Sequence, residues 1–216
     1  AFAARIESPE RDRLRAMLGV APDQLLVGTV SCLKPQKSPE DFVRVAALVC
    51  QRVPAARCVL VGDGALRPKV EALLLAQGLQ DRVTLLGWRR DVAALLKAFD
   101  VFVLTSQWEG LPCAILEARA SRIPIVATRV GGAAEAIVEG IQGTLCPAGD
   151  VRAMAERVCQ VLEDERFRVD LRTGTQELPE EFTIQETLKQ YQSLYAYLLH
   201  ATRPSEDVMK LQPNRL

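Results

Sequence analysis

The sequence of 216 residues is poor in the groups that several common chemistries need. It has one histidine, His200, in the tail. A Ser–His or Cys–His triad is therefore not expected. The six cysteines (Cys32, Cys50, Cys58, Cys113, Cys146 and Cys159) include no C-x-x-C pair, so a zinc site is not expected either. Most of them lie in apolar strands or on helix faces and read as small buried thiols in a reducing cytosol. Aromatics make up only 5% of the residues, which leaves few rings for stacking bases. Lys+Arg and Asp+Glu both number 27, which argues against a general nucleic-acid or membrane-surface binder. There is no run of eighteen apolar residues to span a bilayer. The opening Ala1-Phe2-Ala3-Ala4-Arg5-Ile6-Glu7 lacks the long apolar core of a signal peptide, so none is expected. No low-complexity tract or internal repeat breaks the pattern.

What is present is an alternation of strands and helices. Continuous apolar runs near 25–31, 57–61, 83–86, 101–105, 124–127 and 143–146 read as strands covered on both faces. Helical spacing joins Phe42, Val45 and Val49, then Val70, Leu73 and Leu74, then Val151, Met154, Ala155, Val158 and Leu162. Repeated βα units imply a parallel sheet with right-handed crossovers. The length suits one sizeable α/β domain. The stretch from Gly174 to Glu181 reads as a break. Beyond it Leu188, Tyr191, Leu194, Tyr195 and Leu198 line one side of a tail helix beginning near Phe182, and residues 203–216 read as loose.

The most informative segment runs from Asp100 to Thr128. The strand Val101–Thr105 leads into Glu109-Gly110-Leu111-Pro112, and Glu117 follows after seven intervening residues. Open α/β sheets bind ligands at the C-terminal ends of their strands. Gly110 lets backbone approach a ligand closely. Pro112 suits the first position of a helix over about 112–121. The amides of Cys113 to Leu116 then form an anion site with the helix dipole. Carboxylates on either side bind sugar hydroxyls rather than phosphate. A nucleotide sugar has this order of groups: ribose, diphosphate, hexose. Taken alone, two glutamates at this spacing are also compatible with ordinary solvated charges.

This segment resembles the glutamate pair of retaining glycosyltransferases of the group 1 type (family four), in the nucleotide-binding half of the GT-B fold. Further stretches resemble that family in its order and spacing over roughly residues 25–165. Val27-Gly28-Thr29-Val30-Ser31 with Lys37 resembles its first strand and phosphate-binding lysine loop. Leu60-Val61-Gly62-Asp63-Gly64 resembles its second-strand turn. Val83 to Trp88 resembles its base-binding loop, and Val130-Gly131-Gly132-Ala133-Ala134-Glu135 its late glycine loop.

The resemblance implies a Rossmann-like, doubly wound, six-stranded parallel sheet with helices on both faces over residues 23–173. A hinge segment over 1–22 and a helical tail over 174–216 complete the organisation. It implies that Lys37 balances charge on the leaving diphosphate. Glu109, with the backbone of Gly110 and Leu111, holds the transferred sugar. Glu117 holds ribose hydroxyls, and Pro112 and Cys113 open the phosphate-binding helix end. Gly62, Gly64, Gly87, Trp88, Arg89, Gly131 and Gly132 belong to loops around the donor. For Trp88 the ring reads as core packing and the loop as ligand contact. Gly131 and Gly132 read either as a close approach to the donor or as plain turn residues.

The donor is a nucleoside diphosphate sugar; no cofactor and no metal are expected, since no D-x-D motif stands at a strand end. An N-terminal acceptor domain is expected to be absent from these residues, so the chain alone should bind donor and transfer little. The implied location is the cytoplasm, with inner-membrane contact through the missing domain left open. The tail helix is read either as cover for the same domain, as a crossing back to the acceptor domain, or as a self-association surface.

Two departures stand out. Cys32 occupies the place where the family usually has an arginine, and a cysteine makes no bidentate phosphate contact; Lys34 is the nearby alternative charge. Arg122 occupies the place of a helix-ending glycine, at a cost of roughly 1 kcal/mol if the backbone is left-handed. The Cys32 departure keeps open a non-catalytic nucleotide-sugar-binding subunit. An NAD-dependent oxidoreductase is disfavoured because Gly-x-Gly-x-x-Gly does not follow the first strand. A structural interaction module using the tail helix is the third class.

Overall fold

A computed structural model describes residues 9–174 and 180–201. The chain divides into two compact units, residues 1–177 and 178–216. In the first, helix α1 (Pro9–Met17) precedes six strands: β1 (Leu25–Val30), β2 (Ala56–Val61), β3 (Val83–Gly87), β4 (Val101–Leu104), β5 (Ile125–Thr128) and β6 (Gly143–Cys146). Between and after them lie α2 (Pro39–Arg52), α3 (Arg67–Ala76), α4 (Val92–Ala98), α5 (Cys113–Ala120), α6 (Ala133–Ala136), α7 (Val151–Glu163) and α8 (Glu165–Gly174).

All neighbouring strands pair in parallel, in the order β3-β2-β1-β4-β5-β6. This is the doubly wound, Rossmann-like order, in which the connection direction reverses between β1 and β4. Strand period explains the continuous apolar runs. Cys58, Leu60, Val101 and Val103 face a core with Phe42, Val45 and Val49 of α2 and Met154 and Val158 of α7. Val59, Val61, Phe102 and Leu104 face the opposite core with Leu95 and Leu96 of α4 and Ile115 of α5. Both faces are covered, so neither has room for polar alternation.

The reversal between β1 and β4 opens a crevice at their C-terminal ends. At their other ends the two strands are tied by Asp100. Its amide donates to the carbonyl of Leu26 (2.8 Å), and its carboxylate accepts from the Leu26 amide (2.7 Å). Arg15 (2.9 Å) and Arg11 (2.8 Å) of α1 pair with the same carboxylate, and Arg15 is buried. Residues 9–17, within the segment read as a hinge, thus form a helix fastened to the domain. Burial alone would push the Asp100 carboxyl up, but Arg15, Arg11 and the Leu26 amide outweigh it and hold the group below its ordinary value.

The second unit contains a short turn of 3₁₀ helix (Glu180–Phe182) and α9 (Ile184–Ala201). Leu188, Tyr191, Leu194, Tyr195 and Leu198 are exposed along it. The break from Gly174 and the loose residues 203–216 fall largely outside the described residues. Among the described residues no helix is long and apolar enough to cross a membrane.

Candidate active site

The loop after β1 carries Lys37 and the loop after β4 carries Glu109, so the switch in strand order brings the two together. The Lys37 ammonium pairs with Glu109 Oε1, with the side chains 17% and 6% exposed. Other bonds lock the loops. Thr105 Oγ1, just past β4, donates to the carbonyls of both Lys37 and Ser38 (each 3.0 Å). Gln36 Nε2 donates to the Trp108 carbonyl (2.9 Å), and the Gln107 amide donates back to the Gln36 carbonyl (2.8 Å). Ser106 Oγ donates to Glu109 Oε1 (2.6 Å), and Thr128 Oγ1 at the end of β5 donates to the Ser106 carbonyl (2.6 Å).

Two glycine turns brace these loops. A Cβ at Gly131, where φ is +44°, would lie 1.8 Å from the Glu109 carbonyl oxygen, and the Gly132 amide donates to the Gly110 carbonyl (2.7 Å). A Cβ at Gly62 (φ +134°) would lie 1.9 Å from the Ser31 carbonyl oxygen, and one at Gly64 would meet the Leu33 carbonyl. The Leu33 amide donates to the Asp63 carbonyl (3.0 Å), and the Gly62 amide to the Gly87 carbonyl (2.8 Å). These glycines are required where one backbone presses on another. Their close approach is to the loops that carry Lys37 and Glu109.

Helix α5 starts one residue later than the sequence suggested. Pro112 is its N-cap rather than its first residue, and it is buried. Its carbonyl accepts from Ile115 (2.9 Å) and Leu116 (3.4 Å). Those two amides are thus engaged, and Cys113 and Ala114 carry the open donors of the helix end among the described residues. Gly110, Leu111 and Cys113 are exposed beside it. Glu117 is exposed on α5 and has no side-chain partner among the described residues. At the other end Arg122 takes φ +56°, the left-handed conformation. Its amide bonds to the Arg119 carbonyl (2.8 Å), and that of Ile123 to Ala118 (3.1 Å). This Schellman closure favours glycine, and here the strain is tolerated.

The expectation that the Trp88 ring packs in the core is corrected by the structure. Trp88 is 69% exposed, and the Arg90 guanidinium lies over its ring, 5.4 Å from the centroid. β3 lies at the sheet edge and ends in Gly87, so the next residue has already left the core. Arg89 is bound to Asp91 of its own loop (2.7 and 2.5 Å). Lys34 and Cys32 are exposed after β1. Cys50, Cys58, Cys146 and Cys159 are buried, as read from the sequence, and burial pushes the Cys146 thiol up to about 11; Cys113, like Cys32, is exposed.

Gln36, Thr105, Ser106 and Thr128 were missed by the sequence reading. Each stands beside a strand end or a nominated residue, which is the only local signal they carry.

The family described as "Glycosyl transferases group 1" matches residues 10–178. N-acetyl-alpha-D-glucosaminyl L-malate synthase of Bacillus anthracis is 31% identical over 184 residues, 85% of this chain and 48% of that protein. D-inositol 3-phosphate glycosyltransferase of Corynebacterium urealyticum is 30% identical, over 94% of this chain and 49% of that protein. The crystal structure of Anabaena HepE in complex with UDP-glucose superposes with a TM-score of 0.80 at 28% identity, over 88% of this chain and 53% of that one. The chain thus spans about half the length of these relatives.

Proposed function

This chain belongs to the glycosyl transferases group 1 family, and from that premise we propose that it is the donor-binding, C-terminal half of a retaining GT-B glycosyltransferase. The donor is a nucleoside diphosphate sugar, with a uridine diphosphate sugar the first candidate because HepE was crystallised with UDP-glucose. The acceptor is held by a domain outside these residues.

The observation that carries this reading is the Lys37–Glu109 pair at the β1/β4 switch point, beside the N-terminus of α5. A cation, helix-end amides and carboxylates there match phosphate and sugar in turn. Lys37 meets the diphosphate and offsets the charge that grows as it leaves. The Cys113 and Ala114 amides point at the same group. Glu109 accepts from hydroxyls of the transferred sugar, and Glu117 from the ribose. The Gly87–Arg89 loop lies against the base. The acceptor attacks on the face from which the diphosphate departs, so the anomeric configuration is kept. No metal enters this scheme. Cytoplasmic residence is part of the proposal, on the support of six free cysteines.

Transfer is tested in the complete protein that contains these residues. UDP release should require an acceptor, and Glu109→Gln should abolish it while UDP binding persists. NMR of the product should show the donor's anomeric configuration. Loss of UDP binding in Glu109→Gln, or an inverted product, would contradict the roles given. The exposed Cys32 favours one second reading, a nucleotide-sugar-binding subunit without turnover. Sustained acceptor-dependent UDP release rejects it.

A further inference from the structure

The two oxygens of Glu109 are treated differently by the protein. Oε1 accepts from Ser106 Oγ at 2.6 Å and pairs with the Lys37 ammonium. Oε2 has Gln36 Nε2 at 3.5 Å, the outer limit of a hydrogen bond. A carboxylate has about four lone-pair positions. Those on Oε1 are occupied from inside the protein, and among the described residues those on Oε2 are nearly unused.

The two partners of Oε1 differ in permanence. Lys37 is the group a diphosphate would draw away, because a phosphate competes with the carboxylate for the same ammonium. Ser106 is neutral and fully buried, and an incoming anion cannot draw it off. Its backbone is held in turn by the buried Thr128 through the 2.6 Å bond to its carbonyl. When a donor engages Lys37, Ser106 is therefore the donor that still grips Oε1. Serine is two bonds shorter than the glutamate it holds, so it fixes the carboxylate's rotation without reaching the ligand.

We propose that Ser106, backed by Thr128, is a positioning residue that anchors Glu109 by Oε1 and so presents Oε2 to a hydroxyl of the donor's sugar. It thereby sets the preference of the site for a nucleoside diphosphate sugar over the bare nucleoside diphosphate. This rests on the donor-site reading above. A hydrogen bond from a neutral group to an ionised one is worth about tenfold in affinity when it holds the charge in place.

The test is calorimetric titration of the chain with three ligand pairs: UDP and UDP-glucose, GDP and GDP-mannose, ADP and ADP-glucose. Wild type should prefer the sugar nucleotide of one pair. Ser106→Ala should weaken the sugar nucleotide about tenfold more than the diphosphate, so the ratio falls towards one. Ser106→Thr keeps the hydroxyl and should restore the ratio. Thr128→Val, which leaves the serine in place, should shift the ratio the same way by less, and it serves if Ser106→Ala does not fold. Equal weakening of both ligands, with a lower Tm, would make Ser106 a structural residue and overturn the proposal. So would an unchanged ratio in both variants. A wild-type chain that binds none of the six ligands overturns the donor-site reading, and this inference falls with it.

Discussion

Lys37 and Glu109 stand 72 positions apart in the chain and form a largely buried ion pair across the mouth of the β1/β4 crevice. Neither charge is stranded, because each lies on a loop fixed by its neighbours. On the proposed reading, an anionic ligand would have to compete at this pair with the protein's own carboxylate. Glu109 keeps the ammonium oriented, and on that reading binding would depend on what the ligand returns to Glu109.

Gly131→Ala should damage the site more than the fold. The added Cβ meets the Glu109 carbonyl oxygen, which must move by an ångström or more, and the residue also takes a left-handed φ. Misplacement on that scale costs about 10²-fold in transfer. Initial rates of the complete protein, with a thermal melt as control, check this. Wild-type rates in a well-folded variant would remove Gly131 from its bracing role.

The Arg122 helix end offers a stability test far from the chemistry. Arg122→Ala keeps the Cβ in a left-handed backbone, whereas Arg122→Gly removes it. The glycine variant should be more stable than the alanine variant by about 1 kcal/mol. Urea midpoints of the two proteins decide it, and equal midpoints would show that the helix end carries no strain.

Asp100 should make the domain acid-sensitive. Its folded pKa is depressed, so its stabilisation is complete above the unfolded carboxylate value of about 3.9 and is lost as pH falls through the lower folded value. Asp100→Asn should cost about 3–5 kcal/mol near neutrality, because Arg15 is left buried without its counter-charge. The gap between wild type and variant should narrow as pH falls below about 3.9, the unfolded carboxylate value. A gap independent of pH in urea titrations would contradict the assignment.

Thiol labelling separates the cysteines. Cys32 and Cys113 should react readily with iodoacetamide in the folded chain, while Cys58, Cys146 and Cys159 should react only after unfolding. A bound diphosphate should slow Cys113, since its amide is an open donor of the helix end. Mass spectrometry of the labelled peptides reads each site.

The sheet was legible in the sequence because strands buried on both faces leave unbroken apolar runs, and because ligand loops in such sheets follow strand ends. Glu109 could be nominated for that reason, while Lys37 and the glycine turns were nominated mostly through the family resemblance. Their relations could not be read from the sequence. Ser106 and Thr128 look like ordinary strand-end hydroxyls until β4 and β5 are laid side by side. Asp100 and Arg15 are separated by 85 residues and carry no local pattern. Trp88 misled because a large ring suggests burial, yet it lies past the end of an edge strand. Gly131 and Gly132 were read either as a close approach to a ligand or as plain turn residues; in this structure the backbone they press on is the loop of Glu109 and Gly110, and Gly110 itself has nothing within 4 Å.

On the proposed reading, Lys37 and its surroundings form a site for a nucleoside diphosphate. Calorimetric titration of the chain with UDP, GDP and ADP, beside Lys37→Ala, tests it most directly. One nucleotide should bind selectively and be weakened about 10- to 100-fold in the variant, as for a charge-assisted contact worth about 1.5–3 kcal/mol. Binding of none of the three, or equal binding by wild type and variant, would contradict it.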